Sequence, residues 1–329
     1  MNDWQKSPSA TLGLTVIVPI KVPALSYLEG FAASYHDVLQ NTNSDTFELL
    51  IVDDCPDHIY GEIDAWFKDT RAVHFRPDKS FKTGANGKLN SVRSGLQLAS
   101  HDMILLLDDD FRPTAATLDS LKAELEKSPC LKCMVAYISP TVTDLINSCG
   151  IFCVNTMTAQ RQFCGHIGFH HSIMKRVGFP SSDGLFDELV IERAFQKSGM
   201  TAGYARNVFL EIITHGRAKF FEQRLRYAYE NMAYPFRFIC YLLVCPLLIL
   251  LGWLVSLTAV FGAVLLITVC VTIICLVGQR KYAANRYPRW TFLLACCWFW
   301  PYTIYSWLAI ISYCRGGILF GGRRVRSPA

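Results

Sequence analysis

The chain is poor in charged residues, and the part after residue 235 has no acidic residue. Of 329 residues, 18% are charged and 51% are hydrophobic, and the mean hydropathy is +0.24. This composition excludes a disordered or highly solvated protein and indicates a membrane protein. From Phe236 onward there are nine Lys and Arg and no Asp or Glu, whereas residues 1–235 hold 23 basic and 27 acidic residues. Nucleic acid is a poor candidate partner, because the positive charge flanks apolar runs.

The N-terminus lacks the pattern of a secretory signal. Between Met1 and Leu14 there is no apolar run between a basic start and a small-residue cleavage site. We therefore expect a cytosolic head, as in a protein of a bacterial inner membrane. The length suffices for two domains, and we predict a catalytic domain over 1–235 and a membrane domain over 236–329.

The cysteine content does not indicate a disulfide framework. Seven of the thirteen cysteines lie at or beyond Cys240, mostly in apolar stretches, so buried thiols in a reducing compartment are favoured. Four others have a spacing close to that of a structural zinc site: Cys130, Cys133, Cys149 and Cys153. The alternative is that their apolar neighbours, Met134–Ile138 and Ile151–Phe152, form buried strands, and this alternative is preferred.

Three apolar segments follow residue 236. The run Phe238–Gly278 has no charged residue and is long enough for two helices, over 238–257 and 258–278, with a bend between Gly252 and Thr258. A third segment, 290–313, is interrupted by Pro301.

Two rules of membrane topology conflict at the third segment. Basic residues surround it, in the loop Gln279–Arg289 and in the tail from Arg315 to Arg326. If the head is cytosolic, a third full span would place the basic tail outside, against the positive-inside rule. Either this segment enters the bilayer and returns at Pro301, or the rule is broken.

The head alternates strand-like and helix-like segments. Short apolar runs predict strands at Leu14–Pro19, Phe47–Val52, Ala72–Phe75 and Met103–Leu107, and helical spacing occurs at Leu25–Leu39 and Lys88–Ala99. Strands separated by helices predict an α/β fold with a mostly parallel sheet. Ligands of such sheets bind beyond the carboxyl ends of the strands.

Acidic clusters follow two of these strands, Asp53-Asp54 and Asp108–Asp110. Carboxylates so close together repel one another unless a cation joins them, and oxygen ligands favour Mg²⁺ or Mn²⁺. Lys88 follows a Gly-rich turn that enters a helix. The combination indicates a nucleoside diphosphate substrate, although a solvated turn is the alternative for either cluster alone.

Several motifs between Leu14 and Tyr229 resemble the family 2 glycosyltransferases with the GT-A fold. They are Thr15–Pro19, Val52-Asp53-Asp54, Gly87-Lys88-Leu89-Asn90, and Leu107-Asp108-Asp109-Asp110-Phe111-Arg112-Pro113. The resemblance implies nucleotide-sugar contacts by Pro19, Asp53, Asp54, Lys88, Asp108 and Asp109, and metal contacts by Asp108 and Asp110. It also implies a UDP-sugar or related donor and transfer with inversion.

An acidic pair further along resembles the family's general-base motif. Asp187-Glu188 precedes Glu192-Arg193, in the reverse of the usual Glu-Asp order. The resemblance assigns the base to Asp187, by its six-residue distance to Arg193, or to Glu188. The alternative is a pair of carboxylates that cap a helix.

The segment Gln223–Tyr227 resembles the Gln-x-x-Arg-Trp motif, with Tyr227 in place of Trp. That motif belongs to members with membrane acceptors or growing polysaccharides, such as ceramide glucosyltransferases and cellulose synthases, and it implies acceptor or diphosphate contacts by Gln223, Arg226 and Tyr227. The alternative is an amphipathic helix whose arginines contact lipid headgroups.

Four histidines are further candidates. His166, His170 and His171 are interpreted as acceptor-pocket or structural residues, and His215 as a metal ligand or a loop residue. Taken together, the sequence predicts a membrane-bound inverting glycosyltransferase with a lipid acceptor. The alternatives are a small polysaccharide synthase and a non-catalytic scaffold.

Overall fold

We describe the protein from a computed structural model, over residues 13–81, 84, 86–158, 165–181, 184–214, 216–320 and 323–327. The chain forms two compact units. The first consists of Met1–Ala136 and Cys164–Ile213, and the second of Tyr137–Phe163 and Thr214–Ala329. The two functional domains predicted from the sequence, 1–235 and 236–329, are not the same as these compact units and stay a prediction.

The first unit is an α/β domain. Its strands are β1 (Leu14–Ile20), β2 (Phe47–Asp53), β3 (Val73–Phe75), β4 (Met103–Leu107), β5 (Cys130–Tyr137, which ends in the second unit), β6 (His166–His170) and β7 (Gly203–Ile212). Its helices are α1 (Phe31–Asn41), α2 (Asp57–Phe67), α3 (Gly87–Leu98), α4 (Ala115–Leu125), α6 (His171–Val177) and α7 (Asp187–Lys197).

The seven strands form one sheet in the order β3-β2-β1-β4-β6-β5-β7. Strands β3, β2, β1 and β4 are parallel, and β6 runs antiparallel to β4 and β5. The predicted α/β class and the four predicted strands are confirmed. These strands form because short runs of branched apolar residues are covered on both faces, as the full burial of β1 and β4 shows.

The helix predicted over Leu25–Leu39 is divided in two. A 3-10 turn covers Leu25–Leu28, and α1 begins only at Phe31. Gly30 separates them with a φ of 67°, a left-handed conformation that glycine adopts without steric cost and that interrupts a right-handed helix.

The second unit contains the helices α5 (Val142–Met157), α8 (Arg217–Asn231), α9 (Pro235–Leu254), α10 (Leu257–Tyr282) and α11 (Ala295–Cys314), and the hairpin β8 (Ile318–Phe320) and β9 (Arg323–Val325). The interpretation of Ile151–Phe152 as a strand was wrong. A capping box between Thr141 and Asp144 starts a helix there, because each side chain accepts a hydrogen bond from the other residue's backbone N–H.

The secondary structure also tests whether the four spaced cysteines could form a structural zinc site. Cys130 and Cys133 lie on β5 in the first unit, whereas Cys149 and Cys153 lie on α5 in the second. Cys130 and Cys133 are three positions apart on a strand, so their side chains point to opposite faces of the sheet. This arrangement does not have the geometry of a zinc knuckle, in which both ligands of a pair face one ion.

Among the described residues, three helices are long and apolar enough to cross a membrane: α9, α10, and Thr291–Cys314, which includes α11. Helices α9 and α10 meet at Val255–Ser256, within the predicted bend. The chain does not turn back at Pro301, because α11 continues through this residue. Pro301 has no backbone N–H and so lacks one helical hydrogen bond, which is tolerated because the other residues of α11 keep theirs.

Candidate active site

One lysine joins two carboxylates from distant parts of the first unit. The Lys88 ammonium forms an ion pair with Asp108 and a second one, with a 3.0 Å Nζ–Oδ2 distance, with Asp187. Lys88 lies in the first turn of α3, Asp108 follows β4, and Asp187 begins α7. The structure therefore brings together three of the residues predicted from separate motifs.

Asn86 helps to position this cluster, and the sequence reasoning missed it. Its side-chain oxygen caps α3 by accepting hydrogen bonds from the N–H groups of Lys88 and Leu89. Its side-chain nitrogen donates to the carbonyl oxygen of Gly184 at 2.9 Å, three residues before Asp187. An asparagine before the first helical residue is an N-cap signal, but its second partner could not be read from the sequence.

The partly enclosed environment of the cluster shifts the pKa values of Asp108, Glu188 and Lys88. Burial raises the pKa of Asp108 to about 7, against the effect of the Lys88 ammonium, and the Asp187 and Asp110 carboxylates raise it further. Burial and the Asp187 carboxylate raise the pKa of Glu188 well above its usual value. Burial opposes the charged form of Lys88, but Asp108, Asp187 and Glu188 raise its pKa, so this residue is an ammonium.

The remaining aspartates of the motif are held by backbone contacts. The carbonyl oxygen of Asp110 accepts a hydrogen bond from the N–H of Ile213 at 3.0 Å, and that of Asp109 accepts one from Arg112 at 2.8 Å. Phe111 forms a β-bridge with Ile212. These contacts fix the chain directly after β4, so the aspartates follow the carboxyl end of a central strand, where α/β sheets bind ligands.

A glycine allows close approach to Asp108. A Cβ atom on Gly165 would lie 2.8 Å from Asp108 Oδ2, closer than real Cβ contacts allow. Gly165 directly precedes β6, whose first residue, His166, pairs with Leu107. The backbone at residue 165 thus leaves room for the Asp108 carboxylate only because glycine has no side chain.

The two aspartates after β2 differ in their surroundings. Asp53 is fully buried; its Oδ1 accepts from the N–H of Cys55 at 2.7 Å, and its Oδ2 lies 3.0 Å from His74 Nε2. Although burial would raise the pKa of Asp53, the hydrogen bonds with His74 and Cys55 lower it. Asp54 is partly exposed and pairs with Lys21 at 2.5 Å, so it is the more accessible of the two.

Pro19 is buried on β1, in register with Val52 directly before Asp53. A contact between Pro19 or Asp53 and the nucleotide stays a prediction.

Helix α7, which carries Asp187 and Glu188, is anchored by a buried ion pair. Lys132 Nζ on β5 lies 2.8 Å from Glu192 Oε2, and both side chains are at most 5% exposed. The Tyr204 hydroxyl donates to Glu192 Oε1 at 2.5 Å. Because Glu192 lies one helical turn after Glu188, this network fixes the rotation of the helix.

Two of the three neighbouring histidines lie at the opposite edge of the sheet from Asp108. His170 pairs in register with Met103, at the start of β4, and its ring contacts Asp102 at 2.9 Å. His171 begins α6, and its N–H donates to the Asp102 carbonyl. The structure therefore favours the structural interpretation of both residues.

His166 lies near the acidic motif but is fully buried. Its Nε2 accepts a hydrogen bond from the N–H of Cys133 at 2.9 Å. Burial, with the charges of Lys132 and Lys88, lowers its pKa to about 3, so the ring is neutral. His215 lies outside the described residues.

The Gln223–Tyr227 segment lies on α8, in the second unit. Arg224 is buried within this unit, where its guanidinium hydrogen-bonds to Asn147 and stacks 5.2 Å from the Tyr227 ring centre. Gln223, Arg226 and Tyr227 are partly exposed. Their contact with an acceptor or diphosphate stays a prediction.

We compared the chain with protein-family models, curated sequences and solved structures. Residues 15–175 match the family model described as Glycosyl transferase family 2. Comparison with curated protein sequences gives no significant match. Among solved structures, the chain is similar to the mannosyltransferase PcManGT from Pyrobaculum calidifontis in complex with GDP-Man and Mn²⁺, with 15% identity over 96% of this chain and 81% of that chain and a TM-score of 0.52.

Two further solved structures are similar to part of this chain, with lower TM-scores. Glucosyl-3-phosphoglycerate synthase from Mycobacterium tuberculosis has 15% identity over 62% of this chain and 71% of that one, with a TM-score of 0.41. TarS 1–349 from S. aureus has 16% identity over 65% and 63%, with a TM-score of 0.43. Residues 15–175 thus match a model of glycosyl transferase family 2, and the α/β unit, which contains most of them, has the GT-A fold.

Proposed function

We propose that the protein is a membrane-bound, inverting glycosyltransferase that moves a sugar from a nucleoside diphosphate sugar to a lipid or lipid-linked acceptor. A UDP-sugar is the first donor to test. The observation that carries the proposal is the pairing of Lys88 with both Asp108 and Asp187. It supports the proposal because the proposed diphosphate-binding cation, the proposed metal ligand and the candidate base then lie together at one edge of the sheet.

The donor atoms suit a divalent cation, Mg²⁺ or Mn²⁺, held by Asp108 and Asp110. The described residues include no group of three His, Cys, Asp or Glu side chains arranged as a metal site. However, Mg²⁺ in nucleotide enzymes is commonly bound by one or two carboxylates together with substrate phosphates and water. The two carboxylates after β4, Asp108 and Asp110, meet this requirement. A bound cation would supply positive charge against the departing diphosphate.

The protein's own groups account for the remaining requirements. The Lys88 ammonium offers a second positive charge beside Asp108, where the diphosphate would lie. Asp54 is the proposed nucleoside contact, and the accessibility of its side chain after β2 supports this role. The acceptor hydroxyl oxygen forms a bond to the anomeric carbon while the bond from that carbon to the diphosphate oxygen breaks. Attack from the opposite face inverts the configuration.

Asp187 is the preferred general base, and Glu188 is the alternative. The base takes the acceptor hydroxyl proton during the attack. Burial and the Asp187 carboxylate raise the pKa of Glu188 well above its usual value, which opposes the ionised, proton-accepting form of Glu188. Asp187 forms the ion pair with Lys88 beside Asp108, where the diphosphate would lie.

A lipid acceptor is supported by the apolar helices of the same chain. Three of them are long enough to cross a bilayer, so the enzyme would be held where lipid acceptors reside. The partly exposed side chains of Gln223, Arg226 and Tyr227 on α8 are the proposed acceptor or diphosphate contacts. The similarity of this segment to the Gln-x-x-Arg-Trp motif supports membership of the ceramide glucosyltransferase-like group.

The proposal is tested by assaying the full chain in lipid nanodiscs with a panel of nucleotide sugars and lipid extracts. We expect nucleotide release that requires a divalent cation, together with a single-sugar lipid product of inverted configuration. A ladder of long products would identify a polysaccharide synthase instead. Absence of release with every donor, from protein that is folded by circular dichroism, would favour a scaffold.

A further inference from the structure

One histidine of the short edge strand β3 is enclosed between two carboxylates. The side chain of His74 is only 3% exposed, although β3 lies at the end of the sheet. Its Nε2 is 3.0 Å from Asp53 Oδ2, and its Nδ1 is 3.0 Å from Asp64 Oδ1. His74 therefore links the last residue of β2 to helix α2.

Aromatic stacking fixes the same ring from one face. Tyr60, one turn before Asp64 on α2, stacks on His74 with 4.2 Å between the ring centres and 26° between the planes. The guanidinium of Arg76 lies 4.0 Å from the centre of the Tyr60 ring, and its Nη2 is 2.7 Å from Asp57 Oδ1 in the first turn of α2. The position of the His74 ring is thus set by α2 as well as by β3.

His74 and Arg76 both act on the turn that follows β2. Asp53 Oδ1 accepts a hydrogen bond from the N–H of Cys55 at 2.7 Å, and Arg76 donates to the Cys55 carbonyl. Burial would raise the pKa of Asp53, but the hydrogen bonds with His74 and Cys55 lower it. An ionised carboxylate only accepts hydrogen bonds, so His74 Nε2 is the donor to Asp53.

Asp54 lies at the centre of this turn. Its N–H donates to the Ile20 carbonyl of β1 at 2.9 Å, and the hydrogen bond from Cys55 to Asp53 closes the turn across it. The side chain of Asp54 is partly exposed, whereas Asp53 is fully buried with both oxygens engaged inside the protein. Asp53 therefore holds the turn, and Asp54 is the residue that the turn presents.

We propose that His74 is a positioning residue for the nucleoside of the donor, because through Asp53 it fixes the turn that presents Asp54. This inference rests on the proposed function, in which Asp54 contacts the nucleoside. His74 acts through Asp53 and not by touching the nucleotide. A preformed contact loses less conformational freedom on binding, so loss of the His74–Asp53 hydrogen bond weakens nucleotide binding.

The test compares two substitutions that each retain one nitrogen of the ring. The amide nitrogen of Gln takes the place of Nε2, which faces Asp53, and that of Asn takes the place of Nδ1, which faces Asp64. Binding of UDP, GDP, CDP and ADP in the presence of Mn²⁺ is measured by calorimetry, on the full chain in lipid nanodiscs. The nucleotide that wild type binds most tightly is then used for the variants.

We expect His74→Asn to weaken nucleotide binding by about tenfold or more, the effect of losing one hydrogen bond to a charged group. His74→Gln should bind within about threefold of wild type, because it keeps the donor to Asp53. A purely structural role of the ring would not produce this order of the two variants. Thermal unfolding of each variant reports its stability separately.

The matched control is a second histidine–aspartate contact, at the other end of the strands. His170 Nδ1 lies 2.9 Å from Asp102, which directly precedes β4. His170→Gln loses this contact and should leave nucleotide affinity within about threefold of wild type. A loss as large as that of His74→Asn would show a general effect on the fold and would overturn the inference.

The remaining outcomes also decide the inference. Wild-type affinity in His74→Asn, or equal weakening in His74→Asn and His74→Gln, would overturn it. Arg76→Met removes the contact with the Cys55 carbonyl and should also weaken binding; it serves as the test if His74→Asn does not fold, and unchanged affinity would then overturn the inference. If wild type binds none of the four nucleotides, the proposed function fails and this inference fails with it.

Discussion

Lys88 and Asp187 form an ion pair of 3.0 Å between the first turns of two helices, α3 and α7. The same ammonium pairs with Asp108. Replacing Lys88 by Met leaves two partly enclosed carboxylates without their common cation, which raises their mutual repulsion.

We expect Lys88→Met to lower kcat/KM by at least 100-fold, and Lys88→Arg to retain part of the activity because it keeps the charge. The measurement is steady-state nucleotide release, with thermal unfolding as the control for folding. Equal activity of Met and Arg variants would show that the charge at residue 88 is unimportant.

The proposed cation site predicts a strong effect of Asp110→Asn. This change removes one negative charge and keeps the side-chain shape, so transfer should fall by orders of magnitude, and EDTA should abolish the wild-type reaction. The neighbouring variant Asp109→Asn is the matched control and should have a smaller effect. The metal role is wrong if EDTA and Asp110→Asn both leave the rate within about threefold of its original value.

The assignment of the base predicts unequal effects of two isosteric changes. Asp187→Asn should lower turnover by roughly 10²–10⁴-fold with donor affinity retained, whereas Glu188→Gln should be milder. Single-turnover rates and donor titrations by calorimetry measure the two quantities separately. The opposite order would assign the base to Glu188, and equal mild effects would leave the pair as a helix cap.

The buried pair of Lys132 and Glu192 predicts a stability effect that also changes catalysis. Replacing Glu192 by Gln leaves the Lys132 charge buried without its partner, which should cost about 3–5 kcal/mol of unfolding free energy. Because Glu192 fixes the rotation of α7, we expect kcat to fall more than donor affinity.

Urea denaturation of the detergent-solubilised full chain, followed by tryptophan fluorescence, measures the loss of unfolding free energy. The double variant Lys132→Met with Glu192→Leu should recover most of the stability. If stability is not recovered, the intact ion pair itself stabilises the fold, and the loss in Glu192→Gln does not come only from the unpaired Lys132 charge.

Asp102 predicts an acid-sensitive contribution to stability. Burial would raise its pKa, but hydrogen bonds from His170 and Ser172 lower the pKa to about 2. Since the folded value lies below the unfolded one, near 3.9, the stabilisation is present above about pH 4 and is lost as the pH falls towards 2.

The contribution at neutral pH is at most about 3 kcal/mol. Asp102→Asn should remove it and flatten the dependence of the unfolding free energy on pH between 4 and 2, and Asp45→Asn, at an exposed site, is the control. An unchanged slope in Asp102→Asn would contradict the prediction.

The sequence determined the local and compositional features of this protein. Short apolar runs specified β1, β2 and β4 because branched side chains with no polar neighbours can be buried on both faces of a sheet. The acidic motif Asp108–Asp110 and the Asp187-Glu188 pair were found from local spacing and family resemblance. The long uncharged run specified α9 and α10, since a bilayer requires about 20 apolar residues per helix.

Tertiary structure decided how these segments meet. Apolar spacing could not distinguish strand from helix at Ile151–Phe152, where packing and the Thr141 capping box select the helix. The bond from Asn86 to Gly184, which helps bring Lys88 to Asp187, joins segments far apart in the chain. Hydropathy gave α11 the signature of a span, but hydropathy measures only transfer into lipid. The direction of a helix depends on its contacts, and the contacts of Phe292 with Gln279 and of Thr303 with Cys245 place α11 alongside α10 and α9.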